Sequence, residues 1–139
     1  MHAFHHNGHA IHYADEGPQG GLPVVFSNSL GTDFRVWDPL LPHLPAGLRV
    51  VRYDKSGHGL SDFAGERNID AHAEDVATLM DHLGIGSAVI VGLSVGGLIA
   101  QAMAASHPDK VRALVLCDTG HKIGTPEIWQ RRMAAIRAD

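Results

Sequence analysis

The sequence is short of cysteine, since Cys117 is the only one among 139 residues. It lies in the apolar run 113–117, where a lone buried cysteine serves as packing. A single cysteine cannot build a disulfide framework within the chain, which fits a reducing compartment. The first residues also lack the basic segment and apolar core of a signal peptide. We therefore expect a cytoplasmic protein.

Long hydrophobic runs and an excess of positive charge are absent as well. No apolar run approaches the roughly 20 residues of a membrane-spanning helix. With 11 Lys and Arg against 15 Asp and Glu, the formal net charge is −4, which predicts neither nucleic acid nor a membrane surface as partner. The composition, 45% hydrophobic and 19% charged, is typical of one globular domain. We expect a small molecule as the partner.

The first sixteen residues predict a β-hairpin. Two short alternating runs flank Asn7-Gly8, a dipeptide that tolerates the positive φ angles of a two-residue turn. Such a turn pairs His6 with His9 and Phe4 with Ile11. No carboxylate or cysteine completes a recognisable ligand set with the five histidines of this segment, so we predict no metal site there.

After the hairpin, apolar runs alternate with helical patterns. The predicted strands are 22–27, 48–53, 87–91 and 111–117, and the predicted helices are a short one capped by Asp38, 70–83 capped by Asp70, 96–107, and one opening at Thr125. The later strands are continuously apolar, as expected when both faces of a sheet are covered. The order predicts an α/β fold, with a mostly parallel sheet and helices on both faces.

The segment VGLSVGG (91–97) carries the strongest chemical signal. Ser94 lies between a predicted strand and a predicted helix, which is the context that the G-x-S-x-G pattern of a nucleophilic serine requires. Glycine at 92 and 96 removes side chains that would collide in so tight a turn. The helix dipole favours negative charge here, and the Val95 N–H becomes one oxyanion-hole donor. The alternative is a glycine-rich turn with an incidental serine.

A second oxyanion donor is expected in the loop after strand 22–27. That loop, Ser27–Thr32, consists mainly of small and polar residues, which allow a backbone to approach a substrate closely. We predict that Leu30 N–H is the donor. The alternative is a plain turn.

These features resemble the α/β-hydrolase superfamily over essentially the whole chain. RYDKSGHGLSD (52–62) resembles the segment after the family's fourth strand, with Ser56 where the family usually has arginine. FSNSLGTDFRVWD (26–38), GLSVGGLIAQ (92–101) and IGTPEIW (123–129) are similar to 3-oxoadipate enol-lactonases. Asn28-Ser29 replaces the His-Gly of many other hydrolases of this fold, which favours the lactonase subgroup.

The resemblance implies an amino-terminal portion of such an enzyme. Residues 1–120 correspond to the first six strands of the core, and 121–139 to the start of a helical cap, with the last strands absent. In the family the catalytic Asp and His follow the seventh and eighth strands, so we expect both beyond Asp139. The chain alone would then be inactive, with an exposed sheet edge open to self-association.

Two histidines within the chain are alternatives to a base beyond Asp139. A triad of Ser94, His121 and Asp118 would require His121 to reach the serine. His58 ends another strand. We expect instead that Asp118 caps a loop, that His121 begins the cap and that His58 shapes the turn 57–59.

The implied reaction is hydrolysis of a lactone or carboxylic ester, 3-oxoadipate enol-lactone in the β-ketoadipate pathway of aromatic catabolism. Trp129, Arg131 and Arg132 could cover the ring and bind the substrate carboxylate, for which the planar arginine fork is suited. Alternatively, the arginines form a solvated helix face. No metal or organic cofactor is implied. The other functions considered are another esterase, a haloperoxidase-like hydrolase, and an inactive fragment that only binds a ligand or another chain.

Overall fold

A computed structural model describes residues 2–138. The strands are β1 (His2–His6), β2 (His9–Glu16), β3 (Leu22–Ser27), β4 (Leu48–Tyr53), β5 (Ala88–Leu93) and β6 (Val111–Cys117). The α-helices are α1 (Ile69–His82), α2 (Val95–Ser106) and α3 (Pro126–Ala138), and short 3-10 helices cover Phe34–Trp37, Leu41–His43 and Pro108–Lys110.

The predicted hairpin is confirmed. β1 and β2 pair antiparallel, with His6 opposite His9 and Phe4 opposite Ile11. The turn between them, Asn7-Gly8, has φ angles of 48° and 81°, the left-handed values that this dipeptide accepts without strain.

The six strands form one mixed sheet in the order β1-β2-β4-β3-β5-β6. β4, β3, β5 and β6 are parallel to one another, and the hairpin joins β4 antiparallel through β2. The carboxyl ends of β3, β4, β5 and β6 therefore meet at one edge of the sheet. Ligands of open α/β sheets bind at that edge.

Helical segments cover both faces of the sheet, although unequally. On one face α1 and α2 pack over alternate strand residues such as Val25, Val51 and Ile90. The opposite face carries the 3-10 helices, where Trp37 packs against Phe26 with ring centroids 4.9 Å apart and the ring planes tilted by 54°. Both long core helices thus lie on the same side.

Two helix starts differ from the sequence prediction. Asn68, not Asp70, caps α1, and its side chain accepts the Ala71 N–H at 2.8 Å. Asp38 does not begin a helix but ends the 3-10 helix that Asp33 caps. The buried aromatic residues Phe34 and Trp37 place that helix earlier in the chain, because their burial outweighs the local cap-proline signal.

The sheet ends at β6, which within residues 2–138 pairs with β5 alone. Val115 and Leu116 of β6 are each 45% exposed. α3 buries none of its described residues, and its Ile136 is 77% exposed. Within the described chain, no helix has both the length and the apolar character needed to cross a membrane. The division into core and cap at residue 120 stays a prediction.

Candidate active site

Ser94 occupies a sharp turn between β5 and α2. Its φ of 54° and ψ of −116° lie outside the regions that side-chain-bearing residues favour. Such backbone strain costs on the order of 1–3 kcal/mol and persists only where the surroundings enforce it. The serine is half-buried, and within residues 2–138 its hydroxyl forms no hydrogen bond. The turn therefore presents a free hydroxyl at the ligand-binding edge of the sheet.

The two glycines of the turn are required by the space around them. A Cβ on Gly92 would lie 2.4 Å from the Gly96 carbonyl oxygen. A Cβ on Gly96 would lie 1.9 Å from the Ser27 carbonyl oxygen. Both separations are far below any real carbon contact, and both clashing atoms belong to the backbone. The contact between Gly96 and Ser27 also shows that the end of β3 packs against the serine turn.

Hydrogen bonds tie the Ser94 turn to β6 and to the segment that follows β6. The Ser94 N–H donates to the Cys117 carbonyl at 3.0 Å, and the Thr119 hydroxyl donates to the Ser94 carbonyl at 2.7 Å. Val95 is the first residue of α2, so its N–H has no acceptor within the helix and lies at the positive end of the helix dipole. This is the position predicted for one oxyanion donor.

Leu30, the other predicted donor, lies in the loop 28–32 after β3. Ser27 at the end of β3 pairs with Gly92 of β5, so this loop begins beside the serine turn. Leu30 is 49% exposed. Within the loop, the Asn28 side chain donates to the Thr32 carbonyl, and the Thr32 hydroxyl donates to the Ser29 carbonyl at 2.9 Å. These hydrogen bonds hold the loop in one conformation. Ser94, Val95 and the Leu30 loop all follow the carboxyl ends of β3 and β5.

Lys55 is a buried residue of this site that sequence reasoning missed. It follows β4 and is only 2% exposed. Its Nζ donates to the Asn28 and Ser29 carbonyl oxygens at 3.0 and 2.9 Å. Burial lowers the pKa of Lys55 to about 8, and the nearby Asp54 partly offsets that effect. The only hint in the sequence was a lysine two residues after the end of an apolar strand.

His58 holds the same loop from the other side. Its Nε2 accepts the Gly31 N–H at 3.1 Å, which makes Nδ1 the protonated nitrogen that donates to the Ser56 carbonyl at 3.1 Å. Both ring nitrogens are therefore occupied, and His58 is not free to accept a proton from Ser94. Its role goes beyond the predicted one of shaping the turn 57–59.

Ser56 is the residue at which the sequence departs from the arginine that the resemblance led us to expect. Its hydroxyl donates to the Asp62 carbonyl at 3.2 Å and accepts the Ala64 N–H at 2.9 Å. A buried neutral side chain thus ties down the segment after β4. Asp54 binds the same segment through the Leu60 N–H and reaches His12 at 2.8 Å.

The local triad is not assembled. Asp118 has a φ of 44° and lines a groove with Ser94, but His121 is exposed. Within residues 2–138, no hydrogen bond or ion pair joins His121 to either residue. The described part of the chain also holds no group of three or more His, Cys, Asp and Glu side chains arranged to bind a metal ion.

The groove at Ser94 has a volume of about 420 Å³. Its lining residues come from the turn and from the segment after β6: Ser94, Asp118, Thr119, Gly120, Lys122, Ile123 and Gly124. Lys122 supplies a cation that sequence reasoning overlooked, although it precedes the IGTPEIW motif directly.

The three predicted substrate-binding residues lie outside the groove lining. Trp129 contacts one lining residue, because its Nε1 donates to the Ile123 carbonyl at 2.7 Å. The Arg132 guanidinium stacks 5.2 Å from the Trp129 ring centre, and both Arg131 and Arg132 are exposed. Their role in binding substrate stays a prediction.

Comparison with known proteins places this geometry among hydrolases. The model of the alpha/beta hydrolase fold matches residues 23–138. The chain is 36% identical over 129 residues to 3-oxoadipate enol-lactonase 2 of Acinetobacter baylyi, covering 92% of this chain and 48% of that protein. The chain spans about half the length of the curated relatives it matches.

Two solved structures agree over nearly the whole chain. A hydrolase from Pseudomonas aeruginosa PA01 superposes with a TM-score of 0.93 at 34% identity, covering 99% of this chain and 53% of that one. The enol-lactonase from Burkholderia xenovorans LB400 gives a TM-score of 0.89 at 41% identity, covering 96% of this chain and 52% of that one. The sequence, the sheet order and the serine turn thus agree, and the chain belongs to the α/β-hydrolase family.

Proposed function

We propose that this chain carries the nucleophile and the oxyanion hole of a serine hydrolase that opens lactones or carboxylic esters. The observation that carries the proposal is the backbone of Ser94. A φ of 54° at a serine, enforced by glycines that have no room for a side chain, is a costly conformation whose use is to present the hydroxyl.

The proposed reaction uses three groups of this chain: the Ser94 hydroxyl, the Val95 N–H and the Leu30 N–H. The Ser94 oxygen attacks the carbonyl carbon while a base removes the hydroxyl proton. The Val95 and Leu30 N–H groups stabilise the resulting oxyanion, and loss of one such donor typically costs 10²–10³-fold in rate. The tetrahedral intermediate expels the ring or ester oxygen, which takes the proton from the base. Water then attacks the acyl-serine while the base removes a proton from it. This second tetrahedral intermediate breaks the acyl–Ser94 bond, releases the carboxylic acid and returns the proton from the base to the Ser94 oxygen.

The base and its orienting acid are proposed to come from polypeptide equivalent to the other half of the relatives. Within residues 2–138 no histidine reaches the Ser94 hydroxyl, and His58 is already bound at both nitrogens. The relatives are about twice as long as this chain. In this fold the acid and the base follow the serine in chain order.

For the substrate we propose 3-oxoadipate enol-lactone, as in the β-ketoadipate pathway of aromatic catabolism. Support comes from the enol-lactonases of A. baylyi and B. xenovorans among the relatives and from the cation Lys122 in the groove beside Ser94. A lactone with a free carboxylate would match that charge. Trp129, Arg131 and Arg132 remain candidates for the outer part of the binding site.

A chimera tests the proposal. Residues 1–139 are joined to the part of the B. xenovorans enol-lactonase that this chain does not cover, since the superposition spans 52% of that protein. We expect the chimera to hydrolyse 3-oxoadipate enol-lactone faster than p-nitrophenyl acetate, and we expect Ser94→Ala to abolish both reactions. The matched control is Ser106→Ala, an exposed serine near the end of α2.

The outcomes separate the candidate functions. Hydrolysis of the p-nitrophenyl ester without the lactone would support a general esterase. A folded chimera that has no activity, and in which a fluorophosphonate does not label Ser94, would leave the inactive binding fragment as the function and overturn the proposal.

A further inference from the structure

We propose that Lys55 is a positioning residue of the oxyanion hole, which aligns and polarises the Ser29–Leu30 peptide so that the Leu30 N–H faces away from Lys55 as a strengthened donor. The inference rests on the proposed function, because it concerns the same oxyanion hole. It assigns a task to a buried lysine that neither touches the substrate nor belongs to a triad.

Peptide geometry carries the first step. The Ser29 carbonyl and the Leu30 N–H belong to one planar trans peptide and point in opposite directions. Lys55 Nζ lies 2.9 Å from that carbonyl oxygen, so the Leu30 N–H is directed away from the lysine. The preceding carbonyl, that of Asn28, also accepts from Nζ at 3.0 Å. Two consecutive peptides are thus fixed by one ammonium group.

The rest of the loop keeps the Leu30 N–H available. The Thr32 hydroxyl adds a second hydrogen bond to the Ser29 carbonyl at 2.9 Å. The Gly31 N–H is taken up by His58 Nε2 at 3.1 Å. Within residues 2–138, the Leu30 N–H has no acceptor. The loop therefore occupies the Gly31 N–H and the Ser29 carbonyl while the Leu30 N–H stays available.

Electrostatics carries the second step. A cation on a carbonyl oxygen draws electron density toward that oxygen and makes the N–H of the same peptide a better donor, as in any polarised hydrogen-bond chain. Lys55 is 2% exposed, so water screens its charge little. Burying an ammonium is costly, and an apolar side chain could fill the same space. Polarisation of the Ser29–Leu30 peptide explains why a charged ammonium group, and not an apolar side chain, lies at position 55.

Carbonyl and amide resonances of the chain itself provide the test. Isotope-labelled wild type, Lys55→Met, Lys55→Arg and Thr32→Val are compared, with Val76→Ala as a control that loosens the core under α1 without touching the loop. We expect Lys55→Met to move the Ser29 carbonyl ¹³C and the Leu30 amide ¹⁵N upfield. Lys55→Arg, which keeps the charge, should move them far less.

Thr32→Val removes the second donor to the same carbonyl while leaving the buried charge in place, so it should shift the same two resonances by a smaller amount. This variant keeps the test decisive if Lys55→Met does not fold. Shifts at Ser29 and Leu30 no larger than those in Val76→Ala, in both Thr32→Val and any folded Lys55→Met, would overturn the inference.

Activity in the chimera distinguishes this inference from the proposed function. An oxyanion hole acts on the transition state, so Lys55→Met should lower kcat by about 10–100-fold with KM unchanged, and Lys55→Arg should recover most of the loss. An active chimera whose kcat is indifferent to Lys55→Met refutes the positioning role alone. An inactive chimera refutes the proposed function, while the resonances still decide whether the ammonium polarises the peptide.

Discussion

Gly96→Ala is the substitution with the clearest consequence. The added Cβ would lie 1.9 Å from the Ser27 carbonyl oxygen and 2.5 Å from its carbon. Relief requires a backbone displacement of about 1 Å or more, since the clashing atoms are not at the end of a flexible side chain. Ser27 is fully buried, and its hydroxyl is bound to that of Tyr53 at 2.8 Å. The strand end therefore cannot move aside easily.

Overpacking a rigid site typically costs 1–3 kcal/mol and sometimes more. Because backbone meets backbone here, we expect the free energy of unfolding to fall by about 3 kcal/mol. Gly86→Ala is the matched control, since Gly86 is exposed, has no neighbour within 4 Å of an added Cβ and is not left-handed. That control should change stability by less than about 1 kcal/mol and is expected to be slightly stabilising.

Urea unfolding followed by far-ultraviolet circular dichroism measures both variants against wild type, with the midpoint and slope fitted together. A Gly96→Ala chain that is unfolded in buffer, beside a folded Gly86→Ala chain, gives the same answer. Equal midpoints for the two variants would refute the reasoning, because they would show that β3 does not press against the serine turn.

Three further predictions concern charge and the sheet edge. The pKa of Lys55 is lowered to about 8 in the folded chain, so above that pH the unfolded state binds more protons than the folded state. The free energy of unfolding should therefore rise by about 1–2 kcal/mol between pH 8 and 10. Urea titrations at each pH measure this rise, and Lys55→Met should remove it. Asp15→Asn breaks the buried pair with Arg49, whose two nitrogens lie 2.9 and 2.7 Å from the carboxylate; a loss of about 3 kcal/mol is expected, and a midpoint equal to wild type would contradict it. We propose that the chain self-associates through β6, and Val115→Lys should shift sedimentation toward monomer; a monomeric wild type with a sharp reversible melt would exclude this.

Local rules were sufficient for the hairpin and the serine turn. A two-residue Asn7-Gly8 turn admits few backbones, and Gly92 is required by the Gly96 carbonyl within the same turn. Gly96 is required by Ser27 of β3, but the short G-x-S-x-G pattern already indicates both glycines. Sequence reasoning could therefore find these features.

Other features depend on partners far along the chain. Asp38 resembles a helix cap, yet its carboxylate binds Arg52, and burial of Phe34 and Trp37 starts the helix earlier. The role of Lys55 depends on a loop 26 residues away. No periodicity or motif indicates that a lysine after a strand will turn inward, because the cost of its burial is met by carbonyls that only the folded sheet brings near.

The order of the strands explains why this half of the fold holds one part of the proposed site and not the rest. β3, β4 and β5 are adjacent, and the loop 28–32, Lys55 and the Ser94 turn follow their carboxyl ends at one edge of the sheet. All three are therefore complete within this half of the fold, and each is held by contacts that require no later strand. Within residues 2–138, this half lacks the proposed base for Ser94 and the acid that would orient it. Since oxyanion stabilisation is preorganised and proton transfer is supplied separately, the half-fold should retain the geometry of the hole even where it cannot turn over an ester.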